Sequence, residues 1–338
     1  MIVISGASGF IGSSTLKHLS SQGHKVAGIV RSTSDLKRVK GFTEQLRFAD
    51  LLDTGALSTA LEDCETLIHC AARSLDWGRQ TDFIKANVIG VDNVIQTAIR
   101  VGRLKKVVYI SSANVAGFGK RDMSEAREDT PKLLFRYSRT KLEGERVASR
   151  LCKKRGVELI ILRPSAVYGP EDWKWSYEMV DRLAHSYWPL LNMGRAVFTP
   201  VFIENLCRAI ELAVRNNGME GVYNITDNVT VSWAEFCEKI SFHLGVSPSC
   251  KSFSYPIALS VAFLYETLRR LFFPGREPKV TVYRVIRSAK DFHYSCNMAI
   301  DKLGYCPDSD LNSHIKKTVG WYMSVTSRLV TRKDERAG

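Results

Sequence analysis

The sequence has no C-x-x-C pair, and its eight cysteines, at 64, 70, 152, 207, 237, 250, 296 and 306, form no Cys/His cluster with metal-ligand spacing. No metal site is expected, and the thiols read as reduced, mostly buried groups of a cytoplasmic chain. Zinc-finger spacing, an RNA-binding signature and a continuous basic arm are also missing, so nucleic acid is not an expected partner. No apolar run reaches the ~20 residues that a membrane-spanning helix needs. No secretory leader is expected ahead of the first strand-like run, and the sequence carries no internal repeat and no low-complexity tract. Acid is short relative to base: 35 Asp and Glu face 48 Lys and Arg, a formal charge of +13. That excess suits an anionic ligand or an anionic membrane surface, or is a solvated basic surface and nothing more.

What is present starts at residue 1. Ile2, Val3 and Ile4 form a short buried-strand run. Ser5–Gly12 is a turn punctuated by Gly6, Gly9 and Gly12, and Ser13–Ser21 reads as a helix with Leu16 and Leu19 on its apolar face. Strand, glycine turn and helix in that order suggest a dinucleotide-binding βαβ unit. In such a unit Gly6 permits the tight turn, Gly9 lets backbone approach a pyrophosphate, and Gly12 lets the helix close on the strand. Ser8, Phe10 and Ile11 would border the phosphates beside the positive helix end. An ordinary glycine-rich loop has the same local look.

The chain then alternates. His24–Val30 reads as a strand ending at Arg31-Ser32, where the adenine ribose would lie. An acidic residue there favours NAD, whereas Arg suits the extra phosphate of NADP. NADP(H) is therefore the expected cofactor and NAD(H) the alternative, with Ser32, Lys37 or Arg38 as helpers; Arg31 is otherwise a solvent-facing strand end. Leu46–Ala49 is a third strand, and Asp50-Leu51 follows it at the place that borders adenine in this fold. Thr66–Ala72 is a fourth strand and its exit, where Ala71 and Ala72 are small enough for backbone to lie against a cofactor. His69 reads as a packed strand residue.

A helix is expected over 82–100, with Val88, Val91, Val94, Ile95, Ala98 and Ile99 on one face. Asn87 is its polar exception, placed to kink the helix through a water and feed a proton relay. Strands follow at 106–112 and 159–164, flanking an irregular segment over 117–134 and a helix over 136–151. Six β-α alternations by residue 165 argue for α/β, a doubly wound parallel Rossmann sheet with a smaller, mainly helical C-terminal part. Residues 199–205 are expected to return to the sheet. The expected division is 1–168 plus about 199–226 for the dinucleotide, and 169–198 plus about 227–326 for substrate, with a frayed tail over 327–338.

The chemical signal is Tyr137-Ser-Arg-Thr-Lys141. Tyr and Lys four apart share one helix face. An ammonium beside a tyrosine is expected to lower its pKa from ~10, so that Tyr137 exchanges a proton with a carbonyl or alcohol oxygen. Ser112, at the end of a strand, would hold the same oxygen. Each pair alone is weak; the glycine turn, Ser112, Tyr137 and Lys141 in series are not.

These residues resemble the extended short-chain dehydrogenase/reductase superfamily. Ile110-Ser-Ser-Ala-Asn-Val-Ala-Gly117, Arg163-Pro-Ser-Ala-Val-Tyr-Gly-Pro170, Pro200–Asn205, Leu303–Pro307 and the apolar block 251–278 resemble its 3β-hydroxysteroid dehydrogenase group. Trp77-Gly78 and Ala86–Val94 are similar to the 2-alkyl-3-oxoalkanoate reductases. The resemblance implies hydride transfer between NAD(P) and a secondary alcohol or ketone, with Ser112, Tyr137 and Lys141 as the triad. It implies Asn87, Ser111, Pro164, Ala166 and Val167 along the cofactor, and a homodimer through the helices after strands four and five. Two departures count against relatives. Ala113-Asn114 follow Ser112 where sugar dehydratases carry acids, and Ala166 replaces the Asn that contacts a sugar nucleotide's diphosphate. A nucleotide-sugar epimerase and a non-catalytic NADP-sensing protein remain the alternatives.

Substrate contacts are expected from Ala113, Asn114, Trp77 and Trp173. With Trp175, Tyr177, Tyr187 and Trp188, these rings suit a flat or long apolar small molecule, a sterol or a long-chain 3-oxoacyl compound; core packing explains any one ring as well. Residues 255–273 are apolar with adjacent arginines. They read as an interfacial helix in peripheral membrane contact, a lid over an apolar pocket, or a plain buried helix.

Overall fold

The computed structural model describes residues 1–125, 135–273, 277–278 and 280–334. Seven strands form one parallel sheet. They are β1 (Ile2–Ser5), β2 (Val26–Val30), β3 (Leu46–Phe48), β4 (Thr66–His69), β5 (Lys106–Ile110), β6 (Glu158–Pro164) and β7 (Gly221–Ile225), in spatial order β7-β6-β5-β4-β1-β2-β3. The central strands are buried along their whole length, which is why β1, β2 and β5 read as apolar runs rather than alternating ones. The chain works outward from β1 to β3, then crosses back to place β4 on the other side of β1, with Ser5 paired to both Ile29 and His69. The crevice at this reversal is where ligands of open α/β sheets bind.

Helices cover both faces. On one face Leu16 and Leu19 pack with Leu206 and Ile210 over Ile4, Ile68 and Val108. On the other, Val91, Val94 and Ile95 pack with Ala148 and Cys152 over Val3, Leu67 and Val107. The helix expected over 82–100 is interrupted. It runs Gln80–Ile84, widens into a π turn at Lys85–Ile89 and continues Gly90–Arg100. The tyrosine–lysine helix runs Arg136–Arg155 and ends at Gly156, in the left-handed conformation.

Residues 199–205 do not rejoin the main sheet. Pro200–Phe202 instead pairs in parallel with Ala166–Tyr168 as a separate two-stranded sheet. The slot beside β6 is filled by β7, whose Asn224 and Ile225 pair with Arg163 and Pro164. A four-stranded sheet of Val231–Ser232, Val197–Phe198, Phe292–Tyr294 and Lys120–Met123 builds the other part of the molecule. Its first-to-last span thus includes a strand inside the stretch read as irregular from 117, while 126–134 lie outside the described residues. Phe198 centres an aromatic core there, stacked on Trp233 at 4.4 Å and on Phe292 at 5.4 Å. The last helix runs Leu311–Asp334, through positions expected to fray; 335–338 lie outside the described residues. No helix among the described residues is long and apolar enough to cross a membrane.

Candidate active site

The glycine turn sits at the C-terminal end of β1. A Cβ on Gly6, which has φ of 75°, would lie 2.7 Å from the backbone of Ala71, and one on Gly12 would lie 2.2 Å from the Gly6 carbonyl oxygen. Backbone therefore occupies the space a side chain would need, and only glycine closes the turn. Gly9 differs: it is exposed, and a Cβ there meets only the Gly6 oxygen, at 3.3 Å. Gly9 precedes the Phe10–Ser21 helix, whose first turn has no side-chain cap. Open backbone N–H groups at a helix start, with no Cβ in the way, fit a dinucleotide pyrophosphate. Ser8, Phe10 and Ile11 are partly buried around this turn.

Arg31 and Ser32 are exposed at the end of β2, where the ribose reading needs them. Of the expected helpers, Lys37 is solvent-exposed beside Asp35. Arg38 turns the other way, donating to the Ser8 carbonyl at 3.4 Å and to the Glu171 carbonyl at 3.2 Å. Lys17 bonds the Glu171 carboxylate at 2.7 Å, so Arg38 links the 171 turn to the glycine turn and Lys17 links it to the helix that follows. Leu51 is held by Asn93, which donates to its carbonyl at 2.9 Å, and Asp50 caps the backbone of Leu52. Ala71 lies against Gly6 and Ala72 is exposed beyond it. Pro164 ends β6; Ala166 is buried and Val167 half-buried on the paired segment that follows.

Two polar residues are already engaged. The Asn87 side chain accepts from the Arg73 N–H at 2.7 Å and donates to the Thr140 hydroxyl at 3.0 Å. The Asn87 amide thus ties the π turn to the strand-four exit and the tyrosine–lysine helix. The Ser111 hydroxyl donates to Glu145 at 2.5 Å, and Arg163 grips the same carboxylate with bonds of 2.9 and 2.6 Å.

Ser112, Tyr137 and Lys141 converge at the C-terminal end of β5. The Ser112 hydroxyl accepts from the Asn114 N–H at 3.3 Å and lies near enough to the Tyr137 phenol to lower its pKa. Lys141 is buried; its ammonium donates to the Ile110 carbonyl at 2.6 Å and lies 4.4 Å from the centre of the Tyr109 ring. Burial brings its pKa down to about 8, partly opposed by the Glu145 carboxylate. Burial also pushes Tyr137 up to about 12, with Tyr283 adding to the rise and Ser112 and Arg287 opposing it. The expected lowering of Tyr137 by Lys141 is not what the structure gives. Desolvation wins, and the cation that acts on the phenol is Arg287. His69 is packed: it is fully buried, bonds Ser5 at 2.7 Å, stacks on Tyr109 at 5.7 Å and is held neutral, its pKa pushed by burial down to about 3.

Over this group lies the Val282–Ala289 helix. Tyr283 takes a 3.0 Å hydrogen bond from the Asn114 amide and packs edge-on to Phe135 at 4.8 Å. The Arg287 guanidinium sits over the rings of Trp175 and Phe292, at 5.5 and 5.6 Å, and its buried Nε has no hydrogen-bond partner among the described residues. Arg284 bonds Asp76 at 3.0 Å, tying this helix to the loop of Trp77, and Trp77 is buried beneath Arg270 at 5.1 Å. Ala113 is buried beside Asn114. Trp173 is not brought to Tyr137: it packs against Tyr177 and Trp321, at 5.3 and 5.1 Å, and the ring that meets Arg287 is Trp175. Sequence reasoning missed Glu145, Tyr283 and Arg287. Glu145 lies four residues beyond Lys141 and was within reach of the helical spacing; the other two carry no local pattern. Among the described residues no group of His, Cys, Asp and Glu could hold a metal.

Residues 2–226 match the model of the NAD dependent epimerase/dehydratase family. The chain is 23% identical to the 4-hydroxy-2-methyl-3-oxo-4-farnesyl-3,4-dihydroquinoline-1-oxide ketoreductase of Stigmatella aurantiaca, over 89% of this chain and 90% of the relative. It is 26% identical to the decarboxylating sterol-4-alpha-carboxylate 3-dehydrogenase of Dictyostelium discoideum, over 90% and 95%. Among solved structures, UDP-glucuronic acid 4-epimerase from Bacillus cereus in complex with NAD shares the fold, with a TM-score of 0.76 at 20% identity over 95% of this chain and 96% of that one.

Proposed function

The chain belongs to the NAD dependent epimerase/dehydratase family, and on that premise we propose that it is an NADP(H)-preferring oxidoreductase interconverting a 3-keto and a 3-hydroxy group on a lipid-like substrate. One observation carries the reading. Ser112 at the end of β5 and Tyr137 on the following helix come together, the Ser112 side chain easing the buried phenol down against desolvation, while the Lys141 ammonium, one helical turn on, is held at the Ile110 carbonyl of the same strand at 2.6 Å.

Gly6, Gly9 and Gly12 with the start of the Phe10–Ser21 helix would hold the pyrophosphate, and Lys141 the nicotinamide ribose hydroxyls. When bound, the nicotinamide supplies or accepts the hydride. The protein's own residues handle the oxygen. Ser112 donates to the substrate carbonyl, and Tyr137, protonated at neutral pH, delivers the proton that completes the alcohol. Held near 12, the phenol carries its proton at neutral pH, the form that proton delivery to a ketone oxygen needs. Arg31 supports NADP(H) by its place at the end of β2. Two of the relatives act on lipid-like ketones or sterols by name, and the Dictyostelium name includes a carboxylate. Arg287, with an unpartnered Nε beside Tyr137, supports a substrate that carries a carboxylate near its ketone.

The test follows reduced-nicotinamide absorbance with NADPH and NADH against a 3-ketosteroid, a long-chain 3-oxo acid and an aryl ketone. Faster oxidation of NADPH by a 3-oxo compound is the expected result. Interconversion of a UDP-sugar without net oxidation would replace the reading with the epimerase one.

A further inference from the structure

The Tyr255–Phe272 helix has apolar residues on two opposite sides. Its inward side is accounted for: Ala262 is buried with Leu191 and Val285, and Ala258 and Leu259 pack against them. Its outward side is not. Ile257, Val261, Leu264, Leu268, Leu271 and Phe272 recur at helical spacing along one stripe about 100° wide. All six are exposed, Ile257 at 66%, Leu271 at 70% and Phe272 at 67%. A plain buried helix, one of the readings the sequence allowed, is therefore not what the chain builds.

The surroundings of the stripe are basic. Arg269 stands in the last turn, Lys251 precedes the helix on the Cys250–Phe253 strand, and Lys290 reaches the ring of Tyr255, while Arg270 turns inward over Trp77. Glu266 is the helix's single acid, and it faces inward, accepting from the Val282 N–H at 2.6 Å and from Arg270 at 3.3 Å. We propose that this helix lies in the plane of an anionic lipid bilayer, with the stripe in the acyl boundary and Lys251, Arg269 and Lys290 toward the headgroups. Charge decides between this occupant and a second copy of the chain. A two-fold contact would set each basic rim against its own copy, which is repulsive, whereas anionic headgroups complement it.

The placement also has a consequence for the site, and that part rests on the proposed reaction. The membrane helix is bonded through Glu266 to the start of the Val282–Ala289 helix, which carries Tyr283 and Arg287 over Tyr137. Arg270 also covers Trp77. Docking therefore brings the bilayer against the cover of the active site, so an apolar ketone enters from lipid without crossing water.

Co-sedimentation of the full chain with phosphatidylcholine vesicles, with and without phosphatidylglycerol, tests this at low and high salt. Binding to the anionic vesicles is expected, weakened by about 0.5 M salt. The double variant Leu264→Glu/Leu271→Glu is expected to bind at least about tenfold more weakly while keeping its circular dichroism and any turnover of a water-soluble ketone. Absence of wild-type binding, or equal binding to neutral vesicles, overturns the proposal. So does a wild-type dimer in ultracentrifugation that the double variant converts to monomer. Vesicle binding without turnover of any ketone leaves the membrane surface standing and counts against the reaction alone.

Discussion

The Glu145 carboxylate lies one helical turn beyond Lys141 and is gripped by Arg163 through bonds of 2.9 and 2.6 Å. It is the main group opposing the burial that lowers Lys141. Glu145→Gln keeps the shape and removes the charge. Lys141 is then expected to lose its proton below the present value of about 8, moving the alkaline limb of the pH–rate profile to lower pH. The variant is expected to lose about 1–3 kcal/mol of stability, because Arg163 loses its charge partner in a buried setting. An unmoved alkaline limb would show that Lys141 does not set it.

Glycine substitutions separate folding from binding. Gly12→Ala puts a Cβ 2.2 Å from a carbonyl oxygen, so backbone must move. It is expected to cost about 3 kcal/mol of stability. Gly9→Ala meets only a 3.3 Å contact and is expected to fold nearly as well, yet to bind NADPH at least about tenfold more weakly, because the methyl would stand where the proposed pyrophosphate approaches the turn. Thermal unfolding and fluorescence titration of both variants check this. Full NADPH affinity in Gly9→Ala would move the pyrophosphate away from this turn.

His69 gives a pH dependence of stability. Its folded pKa, about 3, lies below the usual 6.5, so between those values the unfolded chain takes up the proton and the folded one does not. Stability is therefore lost as pH falls from 6.5 toward 3, by up to ~1.4 kcal/mol per unit. His69→Phe keeps a ring against Tyr109 and removes this loss. Urea unfolding from pH 7 to 4 is expected to show the wild type losing stability faster than the variant. Parallel curves would place His69 in contact with solvent.

The parts of the site that were legible in the sequence are those built from neighbours along the chain. The strand, glycine turn and helix at residues 2–21 follow from apolar run, spacing and periodicity, and so do Tyr137 and Lys141 on one face. The parts that were not legible depend on where a distant element comes to rest. Tyr283 and Arg287 sit on a short helix whose own pattern says only that it is amphipathic, and their role arises from its docking over Asn114 and Trp175. The pKa order failed for a related reason. Four-residue spacing places an ammonium near a phenol, but it carries no information on how deeply either is buried, and here burial outweighs proximity. Trp173 and Trp175 are equivalent as sequence, and only packing distinguishes the ring beneath Arg287. The strand at 200–202 was misassigned because its apolar residues suit either sheet, and the edge of the main sheet was taken by β7.

The most direct measurement is the turnover of Tyr137→Phe with NADPH and a 3-oxo substrate that the wild type reduces. The phenol hydroxyl is lost while the ring, the glycine turn and Lys141 stay. A fall in kcat of about 10²–10⁴-fold is expected, with NADPH affinity kept within about threefold. Turnover retained near the wild-type level would contradict Tyr137 as the proton donor, and with it the reaction proposed for this site.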